Sequence, residues 1–294
     1  MDTQRTRESS ARAPALSLRL ATSAGTLSIP GRHFVHNLID RRTLLFQLVR
    51  RDFEQRFVGS VAGWLWGVIH PLVLLASWVF VFQVCLHVGL PKTEVTQNYA
   101  LFLFCGFLPW LLFQETLTRS ATSLLDHANL ITKTVFPAEM VPVSIFLSSL
   151  ISHLMALSLV IIGVGFYLGH FSLWIFLLPV YMLLTGMLAV GLGWIFAALQ
   201  VYLRDTAQVL AVALTFWFWI TPVFITEEQF PPFLRFLPRY NPLALLVRAY
   251  RDRLLSYRLP NLHDLAVIAM FAVGSFVIGG LVFRHLKRGF ADVL

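Results

Sequence analysis

The chain has 294 residues, of which 57% are hydrophobic and only 13% charged, with net charge +8, pI ≈ 10.0 and mean hydropathy +0.72. That profile excludes an ordinary soluble domain and fits a membrane protein with basic flanks, whose excess positive charge suits anionic lipid headgroups. Nucleic-acid binding is excluded on the same grounds, because it asks for a solvated basic face interleaved with exposed aromatics, and here the aromatics fall inside apolar runs.

In chain order, residues 1–30 are rich in Ser, Thr, Ala and Arg and lack the apolar stretch of a signal peptide, which reads as a disordered cytosolic tail. Residues 31–57 are predicted to form an amphipathic interfacial helix. At about 100° per residue, Phe34, Leu38, Leu45, Val49 and Phe53 share roughly a third of the circumference, while Asp40, Arg50, Arg51 and Glu54 point away. Arg42, Asp52 and Arg56 interrupt the apolar face, so the helix is expected to snorkel at headgroup level. It reads either as a plain surface anchor or as a site where Arg50, Arg51 and Arg56 also meet a lipid-linked phosphate, whose oxygens match guanidinium forks. His33 and His36 have a weak metal-ligand spacing and are better read as interfacial.

Residues 58–294 hold about six long apolar windows, and a bilayer core of roughly 30 Å takes about 20 helical residues. The windows are Val61 to Val88, Asn98 to Leu117, Pro142 to Leu168, Leu173 to Leu199, Ala207 to Phe224 and Leu265 to Phe283, giving an all-α polytopic fold. Arg41, Arg42, Arg50, Arg51 and Arg56 precede the first window and only Lys92 follows it, so the amino terminus is expected in the cytosol. An even number of spans returns the carboxyl terminus to that side, with Arg119, Lys133, Arg204, Arg284, Lys287 and Arg288 also there. Against this stand Arg235, Arg239, Arg248, Arg251, Arg253 and Arg258, which the same topology places outside.

Span interiors are almost free of charge, unlike those of an ion-coupled transporter. His70 and His153 are the deepest ionisable groups, with Glu115 near the end of span two, and each histidine reads as a neutral, hydrogen-bonded packing residue. Pro71 and Pro109 are expected to kink spans one and two. Ala189 with Gly193, and Ser275 with Gly279, permit close helix contact. Cys85 and Cys105 sit in spans as small apolar residues.

Sites for chemistry are missing. Lys92, Lys133 and Lys287 are the only lysines and none lies in a glycine-rich phosphate loop, so ATP and Mg must be bound by a partner subunit. No His-Glu-x-x-His, Cys-x-x-Cys or Gly-x-Ser-x-Gly pattern occurs, and a membrane-embedded transferase would need an acid, base or metal constellation. No catalytic residue, cofactor or metal site is therefore assigned. The distinctive residues are aromatic: Trp64, Trp66 and Trp78 in span one, and Phe216, Trp217, Phe218 and Trp219 in span five. They read either as interfacial belts or as a track offering flat surfaces to sugar rings. The polar stretch from Ser123 to Glu139, stopped by Pro137, reads as a short helix across the membrane face, either a simple connector or a docking element. Arg204 and Asp205, at the turn between spans four and five, either pair locally or meet the same partner.

Taken together in order, Arg51-Asp52, Arg56, Gly59-Ser60, Gly63-Trp64, Trp66 and Pro71, the loop with Asn129, Lys133, Phe136-Pro137 and Glu139, then Arg204-Asp205 and Asn241-Pro242, resemble the membrane subunit of ABC-2 type polysaccharide exporters. That family includes permeases for O-antigen, capsular polysaccharide and teichoic acid. The resemblance runs from about Arg41 to the carboxyl terminus. It implies a homodimer with two separate ABC ATPase subunits, a polymer channel at the dimer interface, and coupling to the ATPases through the loop with Lys133, Phe136, Pro137 and Glu139; Arg204 and Asp205 would meet the same partner if they do not pair locally. It also implies outer re-entrant gate helices in Pro222 to His263, where Arg248 and Arg251 would line a water-filled gate or meet anionic sugars or lipids. The expected function is ATP-driven export of a lipid-linked polysaccharide across a bacterial inner membrane, with envelope export components as further partners. The alternative is an ABC-2 exporter of a small amphipathic drug or lipid.

Overall fold

The computed structural model describes residues 41–91, 94, 96–133, 136–169, 172–256 and 258–293. The predicted tail, the first ten residues of the 31–57 segment and Lys92 lie outside the described residues. All regular structure among the described residues is helical.

Helix α1 (Arg42–Gln55) has no fully buried residue. The chain leaves it through Gly59 at φ +78° and Gly63 at φ +53°. A side chain at either position would meet open space, so glycine is needed there for its left-handed conformation and not for room. Helix α2 (Trp66–Val79), entered by a 3-10 turn at Gly63–Leu65 and extended by a π-helical stretch at Phe80–Cys85, carries Pro71 inside it. It is the least covered span, with only Pro71 and Leu75 buried in the helix proper.

Helix α3 (Tyr99–Asp126) is the hub, capped by the Asn98 side chain and buried along most of its length. It outruns the apolar window by nine residues because its final turns, which carry Glu115 and Arg119, face polar partners instead of lipid. Ser123 therefore belongs to α3, and the connection holds only the short α4 (Ala128–Lys133). Helix α5 (Met140–Leu168) ends on Gly169 at φ +70°, and α6 (Leu178–Tyr202) follows a 3-10 turn at Leu173–Leu177.

Among the described residues, five helices are long and apolar enough to cross a membrane. The fifth predicted window is shorter than expected. Helix α7 (Thr206–Ile220) has 15 residues, about 22 Å at 1.5 Å per residue against a core of roughly 30 Å. It stops because Pro222 pushes Thr221 into extended conformation. Two 3-10 turns and α8 (Phe236–Tyr240) lead to α9 (Pro242–Leu255), which starts with Asn241 as cap and proline at its first position. Most of α9 is buried against α3 and α6. Helix α10 (Leu262–Leu286) and the short α11 (Phe290–Val293) complete the chain.

Helices α6 and α10 touch main chain to main chain. A Cβ on Gly279 would fall on the Gly191 carbonyl, and one on Gly191 would fall on Ser275. Ser275 and Gly279 thus do serve a close crossing, but their partner is Gly191; Gly193 faces Ser120 of α3 instead. Two apolar cores result. One spans the middle and the α9 end, and a smaller one joins Leu124, Val143, Trp194, Val201, Phe283 and Phe290 at the α1 end.

Candidate functional site

At the α1 end, two arginines and two carboxylates close a neutral cluster. Arg56 donates to Glu115, to Ser149 Oγ at 2.9 Å and to Ser152 Oγ at 3.3 Å, and lies 3.6 Å from Asp52. Arg119 donates to Asp52 at 2.5 Å, and Ser149 donates to Glu115 at 3.0 Å. The helix just before span one is thereby stitched to α3 and α5. Burial pushes the Arg56 guanidinium below its ordinary value, while Glu115 and Asp52 pull it back up. Beside it lies a cavity of ≈ 200 Å³ whose wall includes Phe57, Trp66, His70, Glu115, Ser152 and His153. The three arginines grouped by sequence are not brought together: the Arg56 side chain is 15% exposed, whereas Arg50 is 69% exposed and pairs with Glu54 at 2.7 Å. Arg51 is exposed as well. Ser149 and Ser152 were not singled out by sequence, and Asp52 and Arg119 stood out for their place on the helix face and on the cytosolic side, not as partners; the usable signal was Glu115, a carboxylate in an apolar helix that demands a cation.

The aromatic set divides. Trp64, Trp66, Phe216 and Trp219 are each more than half exposed. The other three are packed: Trp78 stands edge-on to Phe107 at 4.7 Å and Phe224 at 4.9 Å, Phe218 lies 5.0 Å from Trp110, and Trp217 donates from Nε1 to Asn241 at 2.9 Å. His153 is buried and shares a 3.2 Å contact with the Tyr250 hydroxyl, consistent with a packing role.

At the α9 end, Arg251 donates to the carbonyls of Phe102 at 3.2 Å, Pro222 at 2.8 Å and Val223 at 2.6 Å, with its guanidinium 3.5 Å over the Phe102 ring. Gly106 makes the room, since a Cβ there would come within 2.8 Å of the guanidinium carbon. Burial pulls Arg251 down to about 10, which leaves it protonated at neutral pH. Arg248 is gripped by Glu227 and by Asp264 at 2.9 Å. These residues fasten the segment after α7 to α3, α9 and α10.

On the connection before α5, Phe136 and Pro137 are half-buried, while Lys133 closes α4. Glu139 accepts from Lys287 Nζ at 2.6 Å through its carboxylate and from Trp194 Nε1 at 3.0 Å through its carbonyl. Arg204 and Asp205 are exposed in a turn braced by Gln200, which donates to the Arg204 carbonyl at 2.7 Å and accepts from the Ala207 N–H at 2.6 Å.

The profile of the family described as ABC-2 type transporter matches residues 43–255. An O-antigen export system permease protein RfbA of Myxococcus xanthus is 29% identical over 261 residues, covering 88% of this chain and 98% of that protein. A protein of the same description from Klebsiella pneumoniae is 27% identical over 252 residues, covering 85% and 95%. The polysialic acid transport protein KpsM of Escherichia coli is 23% identical over 240 residues, covering 81% and 91%.

Proposed function

We propose, since this chain belongs to the ABC-2 type transporter family, that it is the membrane-spanning permease subunit of an ATP-driven exporter of a lipid-linked polysaccharide. The observation that carries this is similarity to an O-antigen export permease running through 88% of the chain and 98% of that relative. Such a subunit spans the membrane several times and leaves ATP hydrolysis to separate ABC ATPase subunits, which would bind the ATP and Mg.

In this reading the working unit holds two copies of the chain and two ATPases in a bacterial inner membrane, with both termini in the cytosol. The uncovered side chains of Trp64, Trp66, Phe216 and Trp219 would face the passage between copies and offer sugar rings flat surfaces with little entropy to lose. Residues Lys133 to Glu139, with Arg204 and Asp205, would face the ATPase. The segment holding α8 and α9 would be the outer gate, and residues 58–294 the transport domain. The anionic lipid end would be met at Arg51 and Arg50, which are exposed, the latter in a solvent-open pair with Glu54, whereas Arg56 is covered and held between Glu115 and Asp52.

A second reading, export of a small amphipathic drug or lipid, draws on the packing of Trp78, Trp217 and Phe218, which shortens the open aromatic track. Inside-out vesicles carrying the permease with an ABC ATPase separate these. Uptake of lipid-linked glycan that requires ATP and both subunits is expected. Uptake driven by the permease alone from an ion gradient, or of small amphiphiles but not glycan, overturns the reading.

A further inference from the structure

We propose that Lys287 is a positioning residue that fastens the ATPase-facing connection to the end of the last span, so that a stroke received near α4 is delivered to α6 and α10 as well as to α5. The inference rests on the reading that this connection meets an ATPase.

A push on residues 128–139 has two covalent outlets, the end of α3 and the start of α5. The structure adds two others at a single residue. Glu139 is held by its side chain to Lys287, 148 residues away, and by its main chain to Trp194, 55 residues away. Trp194 is fully buried and packs against Phe276 of α10 at 4.8 Å. Tyr202 donates to the Leu286 carbonyl at 2.8 Å, one residue before Lys287, and a Cβ on Gly289 would come to 2.6 Å from the same hydroxyl. The end of α10 is thus pinned to the end of α6, two helices already locked together where Gly191 meets Gly279. Ile131 of α4 rests on the apolar cluster that contains Ala138, Phe283 and Phe290. These contacts form one contiguous path from α4 through Glu139 to the α6–α10 pair.

Lys287 and Glu139 remain 38% and 26% exposed, and pairs so placed contribute little to folding. Loss of the pair should therefore spare the fold and show up in transmission. The test uses the full permease with its ATPase in proteoliposomes, reading ATPase co-purification, ATP hydrolysis and glycan exported per ATP. Lys287→Glu is expected to keep the ATPase bound and hydrolysing while export per ATP falls by about fivefold or more. Glu139→Lys, which lies in the ATPase-facing stretch itself, is expected to lower export per ATP as well and serves as the partner for the reversal. The double reversal should restore most of it, and Lys287→Arg should behave as wild type. Unchanged export per ATP in the single variants overturns the proposal, as does a double variant that assembles without recovery, or a defect confined to ATPase binding. Should the reversals fail to assemble, Lys287→Gln decides: export per ATP equal to wild type overturns it, and a fall with intact hydrolysis supports it. A wild-type complex that neither holds an ATPase nor exports glycan would instead defeat the functional reading beneath it.

Discussion

Arg251→Met tests whether the buried cation at the α9 end is a fastener or a channel group. The guanidinium makes three hydrogen bonds to carbonyls and covers one aromatic ring. Hydrogen bonds to a charged group contribute about 1.5–3 kcal/mol each, and the cation–π contact about 0.5–2. Removing the cation also relieves several kcal/mol of desolvation, so the net loss should be on the order of 3 kcal/mol, with the Phe102, Pro222 and Val223 carbonyls left short of a donor. At about 2–4 °C per kcal/mol, the melting midpoint of the nanodisc-embedded protein, followed by tryptophan fluorescence, should fall by about 6–12 °C. Arg251→Lys should fall between, because an ammonium cannot fork toward carbonyls contributed by two separate segments. A Met variant that melts within about 1 °C of wild type yet exports less glycan would refute the fastening role and return Arg251 to the passage.

Gly279→Ala puts a methyl on the Gly191 carbonyl and should cost about 1–3 kcal/mol, whereas Gly274→Ala, where a Cβ meets open space, should melt like wild type. Glu115→Gln leaves Arg56 and Arg119 with a single carboxylate between them, and about 1–3 kcal/mol of lost attachment should appear as faster hydrogen exchange in α1 with little change in α9. Trp219→Ala, which gives up a stacked contact with Phe224 from a ring that is 59% exposed, should lower glycan export at little cost in stability. Trp217→Ala, which removes one of the two donors to the Asn241 Oδ1 cap, should lower the melting midpoint by an amount equivalent to about 2–4 kcal/mol. Equal stability losses for the two tryptophans would contradict the division between open and packed rings.

Hydropathy revealed the spans because the bilayer enforces length and apolarity together, and the helical stretches for four windows both begin and end within about three residues of the expected bounds. It failed where polarity acts through specific partners. Helix α3 continues past Leu117 since Arg119 and Glu115 are satisfied by Asp52 and Arg56, a pairing across 59 and more residues that no local pattern encodes. Helix α7 ends early because one proline outweighs the hydropathy of Val223 and Phe224. Small-residue spacing located Gly279 but not Gly191, since which glycine meets it depends on the crossing of α6 and α10. The aromatic run at 216–219 was visible, but alternate members of a helix face opposite ways, and only packing shows that Trp217 and Phe218 turn inward.

The anchorage of Arg56 also fixes an order of events at the ribosome. Its serine partners are 93 and 96 residues further along the chain, which at roughly 5–20 residues per second are made some 5–20 s later. Before then the nascent amino-terminal helix can reach only Glu115 and Arg119 of α3, and its attachment is completed when the hairpin of α3 and α5 has been delivered into the bilayer.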